Sequence, residues 1–185
     1  MFLLFSRTLF EPGGRQTTVP SGIELTTPCE ALLLPNKEYY PYLKNYFRKA
    51  EKSIVGTVYL VKTANYPDNE PADLLRELIA AKKRNVEVNL VVDISNDDRD
   101  ASEANMQAAE LLRKAGIPVR FDTASVATHS KTFVIDDRYC FLGSHNLTHA
   151  AMSRNAELSI FLDSPEMARK ITEFVLRIPV SSQTN

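Results

Sequence analysis

The stretch HSKTFVIDDRYCFLGSHN, from His129 to Asn146, holds the pattern H-x-K-x4-D-x6-G-S-x-N complete. If each of its six fixed positions is matched by chance about one time in twenty, a chain of this length shows the pattern with a probability on the order of 10⁻⁶ to 10⁻⁵. The stretch reads as a two-stranded ribbon. Thr132, Val134, Cys140 and Leu142 share one face, Phe133, Ile135, Tyr139 and Phe141 the other, and Asp136-Asp137-Arg138 form the turn. An antiparallel ribbon brings residues from its two ends together, so His129 and Lys131 come to lie beside Gly143, Ser144 and Asn146, although about a dozen residues separate them along the chain.

The residue types gathered there suit attack on a phosphodiester, which needs a nucleophile, an acid for the leaving oxygen and cations around the phosphoryl oxygens. Neutral imidazole is a nucleophile near neutral pH and can also act as a proton donor, so His129 is the expected nucleophile. Lys131 follows two residues later on an extended segment and projects from the same face, which places its ammonium beside the phosphate as a point charge. Ser144 and Asn146 can donate neutral hydrogen bonds to the same oxygens. Gly143 permits close backbone approach to a ligand, and Ser144 to Ala151 is expected to begin a short helix whose free N–H groups favour an anion. Asp136 belongs to the pattern yet falls in the turn, which leaves two readings open: local turn bonding, or direct influence on the site. His145 and His149 match no fixed position and are expected at the rim or surface.

Outward from the ribbon, strands and helices alternate. Residues 11–28 are rich in Pro, Gly and Thr and read as an irregular lead-in. Tyr42, Tyr46, Phe47 and Ala50 make a helical stripe behind Pro41, and the apolar run Ile54 to Val61 suits a buried strand. Leu74, Leu75, Leu78 and Ile79 form the next stripe, closed by Lys82, Lys83 and Arg84, and Val86, Val88, Leu90 and Val92 alternate as a strand. Asp100 and Glu103 suit the start of a helix with Ala104, Ala108, Leu111, Leu112 and Ala115 inward and Gly116 at its end. Ile117, Val119 and Phe121 alternate, Leu158 to Leu162 reads as a strand, and Ser164-Pro165-Glu166 opens a last helix with Met167, Ile171, Phe174 and Val175 inward. The expected fold is α/β: one mixed, largely parallel central sheet with helices on both faces, in a single domain spanning residues 1–185. Ligands of such sheets bind beyond the strand ends, which makes the loops Thr63 to Glu70 and Ile94 to Arg99 expected cleft walls.

Composition excludes several classes. The chain has 185 residues, 44% hydrophobic and 24% charged, with a net charge of −1, an ordinary globular balance without the basic excess of a generic nucleic-acid binder. A local positive cleft is still compatible with it. Cys29 and Cys140 are the only cysteines, which suggests free thiols and neither a disulfide framework nor a thiolate metal site. Asp93, Asp97, Asp98 and Asp100 miss the calcium-loop template, because Asp98 stands where glycine belongs and Ala104 where the bidentate glutamate should be, so the expectation is a solvated loop without metal. Tyr39, Tyr40 and Tyr66 are expected to pack or lie at the surface, with base stacking as the rival reading. Met1 to Phe5 is interrupted by Ser6, Arg7 and Thr8 and lacks a cleavage signature, and no stretch approaches membrane-spanning length, so the expectation is a cytoplasmic protein with no membrane anchor.

The pattern from His129 to Asn146 resembles the signature of the phospholipase D superfamily, whose members break or exchange phosphodiester bonds without metal or cofactor through a phosphohistidine. The resemblance is strong from His129 to Glu157, weaker back to Ala31, and leaves residues 1–30 outside it. It implies a role for Glu157, because relatives often carry an acidic residue at this distance downstream; a carboxylate there can orient a histidine through its Nδ1–H. Asp137 departs from the family, which often has glycine at this point of the turn. This sequence carries a single H-x-K, and the small single-motif bacterial nucleases of the superfamily pair about a two-fold axis. The resemblance therefore implies a homodimer in which one His129 attacks and its partner's copy protonates the leaving group, the two imidazoles holding one proton between them. The implied catalytic set is His129, Lys131, Asp136, Asn146 and Glu157, with Lys131, Ser144 and Asn146 on the phosphate. The function implied is a metal-independent endonuclease acting on DNA or RNA. A phospholipid hydrolase or phosphatidyl transferase, and a catalytically silent nucleic-acid-binding scaffold, are the alternatives.

Overall fold

The ribbon sits inside a seven-stranded sheet in the computed structural model, which describes residues 27–63, 69–95, 98–123 and 125–181. Its strands, β6 (Lys131–Ile135) and β7 (Tyr139–Gly143), pair antiparallel with Lys131 opposite Gly143 and Ile135 opposite Tyr139, the register that the two apolar faces require. The other strands in chain order are β1 (Glu30–Pro35), β2 (Ser53–Val58), β3 (Val61–Lys62), β4 (Glu87–Val92), β5 (Val119–Phe121), β8 (Leu147–Thr148) and β9 (Leu158–Asp163). The main sheet runs β1-β9-β7-β6-β2-β4-β5, and β3 pairs with β8 in a separate parallel ribbon. The sheet is mixed, as expected. Following the pairings across it, β1, β7, β2, β4 and β5 point one way and β9 and β6 the other. Its parallel neighbours are confined to β2-β4-β5, because the contiguous hairpin β6-β7 and the return strand β9 need no crossover helix.

Strand alternation sorts side chains into two cores. Ile54, Val88, Leu90, Val92, Phe133 and Phe141 face α1 (Tyr39–Lys49), α2 (Glu70–Lys83) and α3 (Arg99–Lys114), while Val55, Val91, Val134, Cys140 and Leu162 face α5 (Pro165–Arg177). Each large side chain buried this way stabilises the fold by about 1.5–3 kcal/mol. The helix starts follow their caps: Asn69, Asp98 and Ser164 each accept a hydrogen bond from the backbone N–H three residues on. Gly116 closes α3 at φ 79°, a left-handed conformation open to glycine.

Two inward stripes are rotated from their expected phase. In α3 the buried residues are Ala101, Ser102, Asn105, Ala108, Ala109 and Leu112, and Leu111 is exposed. The stripe is turned by Asn105, which is fully buried because its amide joins strand ends: Nδ2 donates to Tyr59 O (2.8 Å) and Asp93 O (2.9 Å), and Oδ1 accepts from Val61 N (2.7 Å). In α5, Ala168, Ile171 and Val175 are buried while Phe174 is 55% exposed. Ser144–Thr148 is not helical; Leu147 and Thr148 form β8, and only His149–Ser153 makes a short helix, α4. Most of the lead-in 11–28, the central part of the loop Thr63 to Glu70 with Tyr66, and Asp97 lie outside the described residues.

Candidate active site

One end of the sheet collects the expected chemistry. β2, β4 and β5 finish there, β6 begins there and β7 finishes there, so the C-terminal ends of parallel strands lie beside the open end of the hairpin. Tyr59 follows β2, Asp93 follows β4, Asp122 follows β5, and His129 stands two residues before Lys131.

His129 is exposed, with its ring tilted at 52° against Tyr59 and the centroids 4.9 Å apart. Among the described residues its ring nitrogens have no hydrogen-bond partner. Lys131, by contrast, is 6% exposed: its Nζ donates to His129 O at 2.6 Å and lies 5.2 Å from the Tyr59 ring centroid. Burial pushes the Lys131 ammonium below its usual range, and the nearby carboxylates of Glu157 and Asp93 oppose that shift. The ammonium is thus held against the backbone of the proposed nucleophile, within reach of two carboxylates.

Asn146 is fixed at one end of its amide. Its Oδ1 accepts from Leu60 N at 3.3 Å, an arrangement set up when β8 pairs with β3, and this leaves Nδ2 to donate elsewhere. Ser144 donates its Oγ–H to Glu157 Oε2 and accepts from Leu158 N at 3.1 Å. Its hydroxyl proton is therefore engaged, and it reaches a phosphate only by rotating off the carboxylate. Glu157 also accepts from Asn155 Nδ2 at 3.0 Å. Within this chain, Glu157 holds Ser144 and balances Lys131, a different partnership from the histidine-orienting one expected of it.

Asp136 is at the far end of the hairpin, five residues along β6 from Lys131, about 16 Å by the rise of a strand. Its carboxylate accepts from Glu51 N (3.1 Å), Lys52 N (2.7 Å) and Ser53 N (3.1 Å), so it pins the turn to the start of β2. Its contacts within this chain are those of the local reading. Asp136 and Asp137 both have positive φ, 55° and 56°, as consecutive central residues of a tight turn closed by Arg138 N donating to Ile135 O.

Other expectations change. His145 is fully buried and is no rim residue: it stacks on Tyr39 at 4.2 Å, its Nε2–H donates to Asn36 O (2.9 Å), and its Nδ1 lies 2.7 Å from Ser159 Oγ. Burial pushes its pKa down, which suits a neutral structural imidazole. His149 is exposed and pairs with Glu70 at 2.6 Å, as a rim residue does. Gly143 makes a close approach to Ser159 on β9. Tyr39 is core, and Tyr40 donates its hydroxyl to Asp73. Cys140 is a buried free thiol, pushed up to about 12 by burial, and Cys29 is a half-buried one.

The acidic loop is not solvated throughout. Asp93 is 1% exposed and Asp122 fully buried, and both accept from the same backbone N–H, that of Thr128, at 2.8 and 2.9 Å. Burial and the neighbouring Asp122 charge raise the Asp93 carboxyl pKa. An aspartate directly after the last apolar residue of two parallel strands was the signal available in the sequence. Beside His129 and Lys131, two shallow cavities of about 380 Å³ each flank Phe174, one reaching Val126 and Ile178 and the other Leu142, Met167 and Ile171. Among the described residues, no helix is long and apolar enough to cross a membrane, and no group of three His, Cys, Asp or Glu side chains is placed to hold a metal ion.

Residues 43–178 match the family described as "Cardiolipin synthase, PLD-like domain". A phospholipase D of Rickettsia conorii is 32% identical over 127 residues, covering 69% of this chain and 57% of the relative. A cardiolipin synthase of Staphylococcus aureus is 30% identical over 154 residues, covering 80% of this chain and 29% of the relative. The chain thus spans about half of the first relative and under a third of the second. Among solved structures, Nuc from Salmonella typhimurium, a phospholipase D family member, superposes with a TM-score of 0.67 at 24% identity over 80% of this chain and 94% of that one. NucT from Helicobacter pylori gives 0.63 at 15% identity over 82% and 96%. At these identities the two structures share the fold.

Proposed function

The chain belongs to the phospholipase D superfamily, and from that premise we propose that it is a metal-independent phosphodiesterase with His129 as its nucleophile. The observation that carries the reading is the convergence of an exposed His129, a buried Lys131 and the free amide end of Asn146 at the open end of one hairpin. An imidazole nitrogen of His129 attacks phosphorus, forming the N–P bond as the leaving P–O bond breaks. Lys131 and Asn146 hold the phosphoryl oxygens, joined by Ser144 once its hydroxyl turns from Glu157. In this proposal the leaving oxygen takes its proton from the His129 of a second copy; water then hydrolyses the phosphohistidine. Homodimerisation is part of the proposal.

For the substrate we propose nucleic acid. Tyr59 against the nucleophile and the exposed Phe174 between the cavities offer aromatic surfaces on which bases stack, and an open site admits a polymer that runs past it. A specific observation also favours a phospholipid: the cavity at His129 and the one at Lys131 both present mainly apolar surface suited to acyl groups, and the relatives above carry the names phospholipase D and cardiolipin synthase.

The test incubates the purified protein and its His129→Ala variant, with chelator, against labelled DNA, RNA and phospholipid vesicles. Chelator-resistant, His129-dependent cleavage of a polynucleotide supports the leading reading. Lipid turnover selects the second, and binding without turnover of any substrate defeats both. Sedimentation decides the pairing: a strictly monomeric active enzyme contradicts a shared site.

A further inference from the structure

Asp93 and Asp122 are buried groups that the phosphoryl-transfer steps leave unused. They sit at the ends of adjacent parallel strands, and the single N–H of Thr128 is shared between Asp93 Oδ1 at 2.8 Å and Asp122 Oδ2 at 2.9 Å. Asp122 has a second donor in Ile94 N at 2.8 Å. Two carboxylates this close repel when both are charged, and a proton on one lets them bond directly. Thr128 is the residue before His129, and the Asp93 charge also reaches Lys131. Among the described residues, Asp98 at the start of α3 and Tyr59 beyond β2 are further titratable groups whose charges reach Asp93.

We propose that Asp93 and Asp122 are positioning residues: through the Thr128 N–H they hold the segment carrying His129, and the charge on the pair sets how readily the site accepts a phosphodiester. The inference rests on the phosphodiesterase reading. With one proton between them, both carboxyl groups close on Thr128 and the pair carries one negative charge. When Asp93 loses the proton, the pair strains its shared grip and a second negative charge stands behind Lys131, which disfavours an anionic substrate. Asparagine at position 93 reproduces the first state at every pH, because its carbonyl accepts from Thr128 N and its amide donates to Asp122.

The experiment follows KM and kcat against pH for the wild type and Asp93→Asn with bis(4-nitrophenyl) phosphate, and the Thr128 amide resonance of both by NMR. The expected result is a ratio of wild-type to variant KM that rises about three- to tenfold between about pH 5 and about pH 8 while the kcat ratio stays within about twofold. The Thr128 amide resonance should show a titration step in the wild type that Asp93→Asn removes. A KM ratio flat with pH, or a Thr128 step unchanged in the variant, overturns the proposal. If the wild type turns over no substrate, the phosphodiesterase reading falls, and the Thr128 step alone decides whether the pair holds the segment. Should Asp93→Asn fail to fold, Asp122→Asn, which keeps an acceptor for Ile94 N and removes the neighbouring charge, gives the same test.

Discussion

Gly143 lies so close to Ser159 that a Cβ added to it would stand 2.5 Å from the Ser159 Cα. That contact explains a glycine in the motif by strand packing: β7 and β9 pair at this point, and Ser159 in turn meets the buried His145. Gly143→Ala is expected to destabilise the protein by about 1–3 kcal/mol, since the obstacles include the Ser159 Cα as well as its side chain, and rotating the side chain alone cannot clear them. Thermal unfolding measures it. A variant as stable as the wild type would mean that β9 moves away at no cost.

His129→Ala is expected to lower kcat/KM by at least about 10³-fold, because it removes the atom that bonds to phosphorus. Lys131→Gln should lose about 10²–10³-fold, the order found when one stabilising donor is removed from a transition state. Circular dichroism and the unfolding midpoint show whether each variant keeps the fold. A His129→Ala enzyme within tenfold of the wild type would remove the nucleophile assignment.

Asp136 and Asp137 are neighbours with opposite expectations. Asp136→Ala strips acceptors from the Glu51, Lys52 and Ser53 amides and should cost about 1–3 kcal/mol, while the activity of the folded fraction stays near that of the wild type. Asp137→Gly removes the strain of a side chain at φ 56° and should stabilise by up to about 1 kcal/mol. Denaturant unfolding with parallel turnover assays separates the two; an inactive but stable Asp136→Ala would return that residue to the site.

Stability should carry the mark of Asp93. Its carboxyl is pushed up to about 6 by burial and by Asp122, so the folded state binds a proton more tightly than the unfolded chain does. This contribution falls as pH rises from the ordinary aspartate range to about 6 and is level above that. Asp73 and Glu70 act in the other direction: both are buried in part, but Lys44 and Tyr40 hold Asp73, and His149 holds Glu70, below the ordinary carboxylate range, so their stabilisation is lost as pH falls. The difference in unfolding free energy between Asp93→Asn and the wild type isolates the first effect. It should move in favour of the variant between about pH 4 and pH 6; a difference constant with pH would place Asp93 outside any titration.

The motif hairpin was legible because its evidence is local. Alternation from Thr132 to Leu142 defines two faces, a short polar turn sets the register, and the register places His129 and Lys131 beside Gly143, Ser144 and Asn146. The helix starts at Asn69, Asp98 and Ser164 are local too, each being a side chain bonding three residues ahead. The strand β1 was not legible: Leu32 and Leu33 are both exposed on the edge of the sheet, so Glu30–Pro35 shows no alternation and owes its conformation to pairing with β9. Leu111 and Phe174 were read as inward because apolar spacing alone cannot choose between adjacent phases of a helix; Asn105, satisfied by groups more than forty residues away, turns one of them.

By itself, the sequence determined the hairpin, the chemistry grouped at its open end and the alternation of strands and helices, since each depends on residues near one another along the chain. Only the tertiary structure decided that His145 is a core residue, that Asp136 serves β2, that Glu157 holds Ser144, and that Asp93 and Asp122 share the Thr128 amide. These roles depend on which distant backbone groups and charges arrive beside a side chain and on how completely water is removed there. Only packing supplies both.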